Sequence, residues 1–171
     1  NDTTAVPANA ASTPSTSPAS VSVGTGADKI ALMMAEDPWQ GDAQFTVSVD
    51  GKQIGGTFTT TAVAWEGQVQ EFDLLGNWGG GSHTVTVNYL NDAAALNAAG
   101  QGIDSQDRNL FVESLSYDGA AGQGAPWELA SNGSQAFKVT GASSTPASTP
   151  GNTVITPCLL YTSPSPRDQR G

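Results

Sequence analysis

The segment from Asn91 to Asn109 carries three carboxylates, Asp92, Asp104 and Asp107, together with three asparagines, Asn91, Asn97 and Asn109. Side chains of these two kinds offer only oxygen donors to a cation, and hard cations such as calcium take six to eight oxygens at about 2.3–2.6 Å. Coordination by Asp92 and Asp107, completed by Asn109 and backbone carbonyls, is the chemistry this loop could do. Asp and Asn also fill loops for a simpler reason, since they tolerate turns and cap short helices. A second acidic group, Glu36, Asp37 and Asp42, lies in A-E-D-P-W-Q-G-D-A, where Pro38 and Gly41 bend the chain. Carboxylates so crowded repel one another unless a cation or hydrogen-bond donors intervene. The alternative for this group is an ordinary solvated loop.

The tryptophans Trp39, Trp65, Trp78 and Trp127 all fall in or beside loops. Exposed rings make platforms for the C–H faces of sugars, although a Trp can equally cover the end of a core. Trp39, between the carboxylates, is the first candidate. Arg108 is expected to pair with a loop carboxylate or to donate to a ligand hydroxyl. His83 stands alone without a Ser or Cys nucleophile motif, so a structural role is expected. No pattern fixes a pair of carboxylates for glycoside hydrolysis.

These groups must be held by strands. His83 to Leu90 alternates with Val85, Val87 and Tyr89 on one face. Leu110 to Tyr117 alternates too, which would put Leu110, Val112, Ser114 and Ser116 on one side and Phe111, Glu113, Leu115 and Tyr117 on the other. Further strand signals lie at Lys29–Met34, Gln44–Val49, Gln53–Val63, Gln68–Leu75 and Gln135–Val139. Asp50-Gly51 marks a tight hairpin turn, and Gly76–Gly81 and Asn132-Gly133 mark others. The Ala-rich patch Asp92–Ala99 could make one turn of helix within its loop and is too short to stand alone. Many short strands with frequent turns predict an all-β, jelly-roll-like sandwich forming a single domain over about 27–141.

Residues 1–26 and 142–157 are rich in Ser, Thr, Pro and Ala without an apolar face, and read as disordered linkers flanking the domain. The tail 158–171, beginning C-L-L-Y-T-S-P-S-P-R-D, reads as the translation of a sequencing adapter and is set aside, together with the lone Cys158. With 16 acidic against 6 basic residues the net charge is −10. This argues against nucleic acid and against an anionic membrane surface, both of which call for Lys and Arg. No apolar run reaches membrane-spanning length. Neither a signal peptide nor an initiating Met is visible, so the chain is expected to be a fragment or a processed segment.

Three stretches together resemble a known family: G-D-A-Q-F-T-V-S-V-D-G-K-Q-I-G-G-T-F-T from Gly41, H-T-V-T-V-N-Y-L-N-D-A from His83, and D-R-N-L-F-V-E-S-L-S-Y-D-G from Asp107. They are similar to the calcium-dependent xylan-binding carbohydrate-binding modules of family 60 and of its circularly permuted relative, family 36. The resemblance covers about 28–119. It implies a non-catalytic, secreted, monomeric β-sandwich, covalently linked to a carbohydrate-active enzyme. Bound Ca2+ in such a module takes vicinal hydroxyls of xylan, or of a galactan-like polysaccharide, into its coordination shell. By motif, Asp92 and Asp107 would belong to that calcium site and contact the sugar, with Asn109 close by. Glu36, Asp37 and Asp42 would hold the opposing loop or a second calcium. Two departures stand out: Ala94 replaces the aromatic expected after N-D-A, and the link to D-R-N-L is longer by several residues. Trp39 could supply the missing platform, and Asp104 a further calcium ligand. The alternative reading is a calcium-stabilised structural β-module of a secreted or surface adhesin, with no sugar site. A small hydrolase is a weaker third.

Overall fold

The structure, a computed structural model, describes residues 16–142. Two sheets face each other as a sandwich. Strands β1 (Val21–Gly24), β2 (Asp28–Asp37), β5 (Gln70–Gly76), β8 (Gly102–Tyr117) and β10 (Trp127–Leu129) form one sheet in the order β1-β5-β2-β8-β10. Strands β7 (Ala93–Leu96) and β9 (Ala120–Ala121) also pair with β8. The other sheet runs β11-β6-β3-β4, from β3 (Gln44–Val49), β4 (Lys52–Thr59), β6 (Gly81–Tyr89) and β11 (Gly133–Gly141). No α-helix occurs among the described residues, and a 3-10 turn at Ala64–Glu66 is the exception to the strands. No helix there is long and apolar enough to cross a membrane.

Inward positions of the alternating strands fill the space between the sheets. Ile30, Leu32 and Met34 meet Phe45, Val47, Val49, Val85 and Val87 there, all essentially inaccessible. Phe45, Phe58 and Phe72 pack as a trio with ring centroids 5.1–5.6 Å apart. Asp50 and Gly51 both take positive φ, 50° and 83°, which is what a two-residue turn between β3 and β4 requires.

The expected alternation along Leu110–Tyr117 does not hold. Met33 pairs with Ser114 but Met34 pairs with Val112, so Glu113 is the extra residue of a bulge. The bulge changes the phase of the strand. Leu110 and Val112 therefore face the core before it, and Leu115 and Tyr117 after it.

Three boundaries also move. The run expected to end at Met34 continues to Asp37, because β8 pairs with Ala35–Asp37 beyond the end of β5 and Glu36 also bridges to Val63. Glu36 and Asp37 therefore sit on a strand end rather than in a loop. The Ala-rich patch is strand β7, since pairing with the long β8 overrides the helix preference of alanine. Val21–Gly24, inside the stretch expected to be linker, pairs in parallel with Phe72–Leu75. The remaining linker and tail assignments, 1–15 and 143–171, lie outside the described residues.

Candidate functional site

One end of the sandwich gathers the acidic end of β2, the 38–43 segment, the 3-10 turn, the end of β6, the β7–β8 hairpin and the turn before β11. The central tie is Arg108. It is buried, 6% exposed, and its guanidinium donates from Nε to the Gly41 carbonyl at 2.9 Å, and from Nη1 and Nη2 to the carbonyls of Asn91 and Trp39. Its own carbonyl accepts from the buried Tyr89 hydroxyl at 2.8 Å. Arg108 thus joins β8 to the 39–41 segment and to the end of β6. Three of its five N–H groups thus go to backbone carbonyls, and no ion pair with the expected loop carboxylate is found among the described residues. Asn91 is similarly engaged: its Oδ1 accepts from Gln44 N at 2.7 Å and its Nδ2 donates to Asp42 O at 3.0 Å. Asn97 shapes the hairpin tip, accepting from Ala99 N and Gln101 N.

Asp92, Asp107 and Asn109 differ from these. Each has a buried Oδ1 with no hydrogen-bond partner. Asn109 is only 7% exposed and lies opposite Asp37 in the β2–β8 register. Orphaned buried oxygens are costly, about 1–3 kcal/mol each, so three at one place require a reason. The electrostatics agree. Burial raises the pKa of Asp92 from its ordinary value, and the charge of Asp107 raises it further. Asp37 is raised by burial first, then by Glu128 and Asp107. Asp107 is therefore close enough to act on carboxylates from both β2 and the end of β6. The Asp92 backbone is fixed by its N–H to Asn132 Oδ1 at 2.7 Å.

Strand alternation separates the second acidic group. Glu36 turns inward and is fully buried, with Oε2 accepting from Ala43 N and Oε1 unpartnered. Burial pushes its pKa up to about 7, partly countered by the Ala43 N–H and reinforced by Asp42. Asp37 turns outward into the cleft beside Asp107, and Asp42 is exposed. The three do not form one cage. Among the described residues, no set of three or more His, Cys, Asp or Glu side chains is gathered in a geometry that could hold a metal ion. A calcium shell does not need three carboxylates, because amide and carbonyl oxygens also count. Asp92 and Asp107 with the Asn109 amide are donors of the right chemistry, and their unpartnered oxygens fit a hard cation.

A cleft of about 250 Å3 adjoins these donors, lined by Asp37, Pro38, Trp65, Asp104, Ser105 and Asp107. The exposed Asp104 comes from the β7–β8 hairpin. Trp39, the expected platform, is half-buried, gives its carbonyl to Arg108, and is not among the lining residues. Trp65 is, with 66% of its surface exposed. Sequence reasoning passed over Trp65 because nearness along the chain to Glu36 and Asp42 favoured Trp39. The A-W-E-G turn was the available signal. Trp78 plugs the core edge-to-face on Tyr117. His83 stacks on Tyr117 and bonds Asp50, the structural role expected of it.

A family model described as CBM60, Ca-dependent carbohydrate-binding module xylan-binding, matches residues 29–132, more than half of the chain. No curated protein and no solved structure matched.

Proposed function

The chain belongs to the CBM60 family of calcium-dependent, xylan-binding carbohydrate-binding modules, and from that premise we propose that it binds polysaccharide through a calcium ion held by Asp92, Asp107 and Asn109. The observation that carries this reading is the set of unpartnered, buried Oδ1 atoms of those three residues at one end of the sandwich. Asp37, opposite Asn109, adds negative charge from β2. When bound, calcium would supply open coordination positions to vicinal sugar hydroxyls. The chain's own part is to bring the donors together through the Arg108 tie and to hold the cleft open beside them.

The family is one of non-catalytic binding modules. In this reading the protein is an extracellular monomer joined by Ser/Thr/Pro-rich linkers to a catalytic domain, and it keeps that domain near its substrate by raising effective concentration. Xylan is the first ligand and a galactan-like chain the second. Isothermal titration of the whole chain with xylo- and galacto-oligosaccharides, in calcium and in EDTA, tests it, with Asp107→Ala as control. Heat that appears only in calcium and vanishes in the variant is expected. No heat with either sugar, alongside a melting temperature that falls in EDTA, would replace the reading by a calcium-stabilised structural module.

A further inference from the structure

Resting on that calcium reading, we propose that Trp65 and Asp104 form the two walls of a single-sugar subsite beside the ion, with the indole as its stacking platform. Ala94, exposed on β7 and paired with Asp107, offers no ring to the cleft. The indole comes from a different segment. Trp65 lies on the 3-10 turn Ala64–Glu66, and its ring lines the same cleft as Asp37, Asp104, Ser105 and Asp107.

The Trp65 side chain is 66% exposed and lines the cleft, so its indole is open to a ligand there. The backbone beneath Trp65 is fixed, so ordering it on binding costs little. Val63 N–H donates to Gln68 Oε1 at 2.9 Å, Gln68 N–H returns to Val63 O at 3.2 Å, and Gly67 N–H closes the turn on Ala64 O at 2.9 Å. Gly67 takes a φ of 69°, where glycine is favoured. Glu36 N–H donates to Ala62 O at 2.8 Å, and a bridge between Glu36 and Val63 ties the turn to β2. The ring therefore projects from a rigid edge, which is how aromatic anchors give area at small entropic cost.

The opposite wall exists because the link between N-D-A and D-R-N-L is long. It folds as the β7–β8 hairpin, with Ala94 paired to Asp107, and this carries Asp104 and Ser105 to the cleft. A volume of about 250 Å3 is below the ~300–1,000 Å3 of sites for drug-sized ligands. It suits one pyranose ring, with its C–H face on the indole and a hydroxyl donating to Asp104. Carboxylates line the cleft, and Glu128 acts on Asp37 from beside it.

The test is titration of the whole chain with xylohexaose in saturating calcium, for wild type, Trp65→Ala, Trp65→Phe and Asp104→Asn, with calcium titrated alone into each. Trp65→Ala is expected to weaken xylohexaose about tenfold or more and Trp65→Phe to recover part of that. Asp104→Asn should cost a few-fold, and calcium affinity should stay within about twofold of wild type in the Trp65 variants. Wild-type affinity in Trp65→Ala would overturn the subsite while leaving the calcium reading intact. Xylohexaose binding that persists in EDTA yet falls in Trp65→Ala would keep the platform and remove the calcium. No binding by wild type in calcium would overturn both.

Discussion

Replacing Asp107 by asparagine should change stability with opposite signs in EDTA and in calcium. Without the ion, Asp107 is a liability: its charge raises the pKa of both Asp37 and Asp92, and its Oδ1 is buried without a partner. Charges several ångströms apart at an effective dielectric near 20 interact by a few kcal/mol at most. Because Asp37 and Asp92 are only partly buried, screening by solvent reduces this to about 1 kcal/mol for the two pairs together. Asp107→Asn in EDTA should therefore melt higher, by about 4 °C for a domain of this size. In calcium the order reverses. Ion at about 100 times the wild-type dissociation constant adds about 2.7 kcal/mol to the wild type. A variant that binds about 100-fold more weakly keeps about 0.4 kcal/mol of this. The loss of about 2.3 kcal/mol outweighs the gain of about 1, so the variant should melt about 5 °C lower. Paired thermal melts at neutral pH and low salt read both signs. A variant less stable than wild type in EDTA as well would refute the reasoning, since Asp107 would then be an ordinary structural acceptor.

Two further outcomes follow from the same end of the fold and from the opposite one. Arg108→Met leaves three carbonyls without their donor and should cost about 3–5 kcal/mol at roughly 1–1.5 kcal/mol each, lowering the urea midpoint by about 2 M if m is about 2 kcal/mol/M; a shift below about 0.5 M would show that water replaces the guanidinium. At the other end, the His83 pKa is raised, first by its bond to Asp50 and also by the Gly79 carbonyl, although partial burial opposes this. A raised folded pKa gives stability that is complete below the usual value of 6.5 and is lost as pH rises through the folded value. Melting temperature should therefore fall as pH rises past the usual value of 6.5, and His83→Gln should flatten that slope. An equal slope in the variant would place the titration elsewhere.

The sequence by itself determined the fold class. Period-two alternation at Phe45–Val49 and Val85–Tyr89 specifies which face is buried, and Asp50-Gly51 specifies a turn, because both depend on neighbours along the chain. Residue type alone also singled out Asp92, Asp107 and Asn109 as candidate oxygen donors; that each keeps a buried, unpartnered Oδ1 is visible only in the fold. What pairing across the sheet decides was not legible. The bulge at Glu113, the conversion of Asp92–Ala99 from expected helix turn to strand β7, and the opposite faces taken by Glu36 and Asp37 all depend on β2 and β7 meeting β8. Arg108 reads as a partner for acids until tertiary contact surrounds it with carbonyls from residues 39, 41 and 91. Trp65 is far along the chain from Asp104 and Asp107, and only the packing of the 3-10 turn against β2 brings the indole to their cleft. Local propensity fixes what a residue can do; which groups converge is settled by contacts distant in sequence, and these win because a paired, buried backbone outweighs the small preferences of single residues.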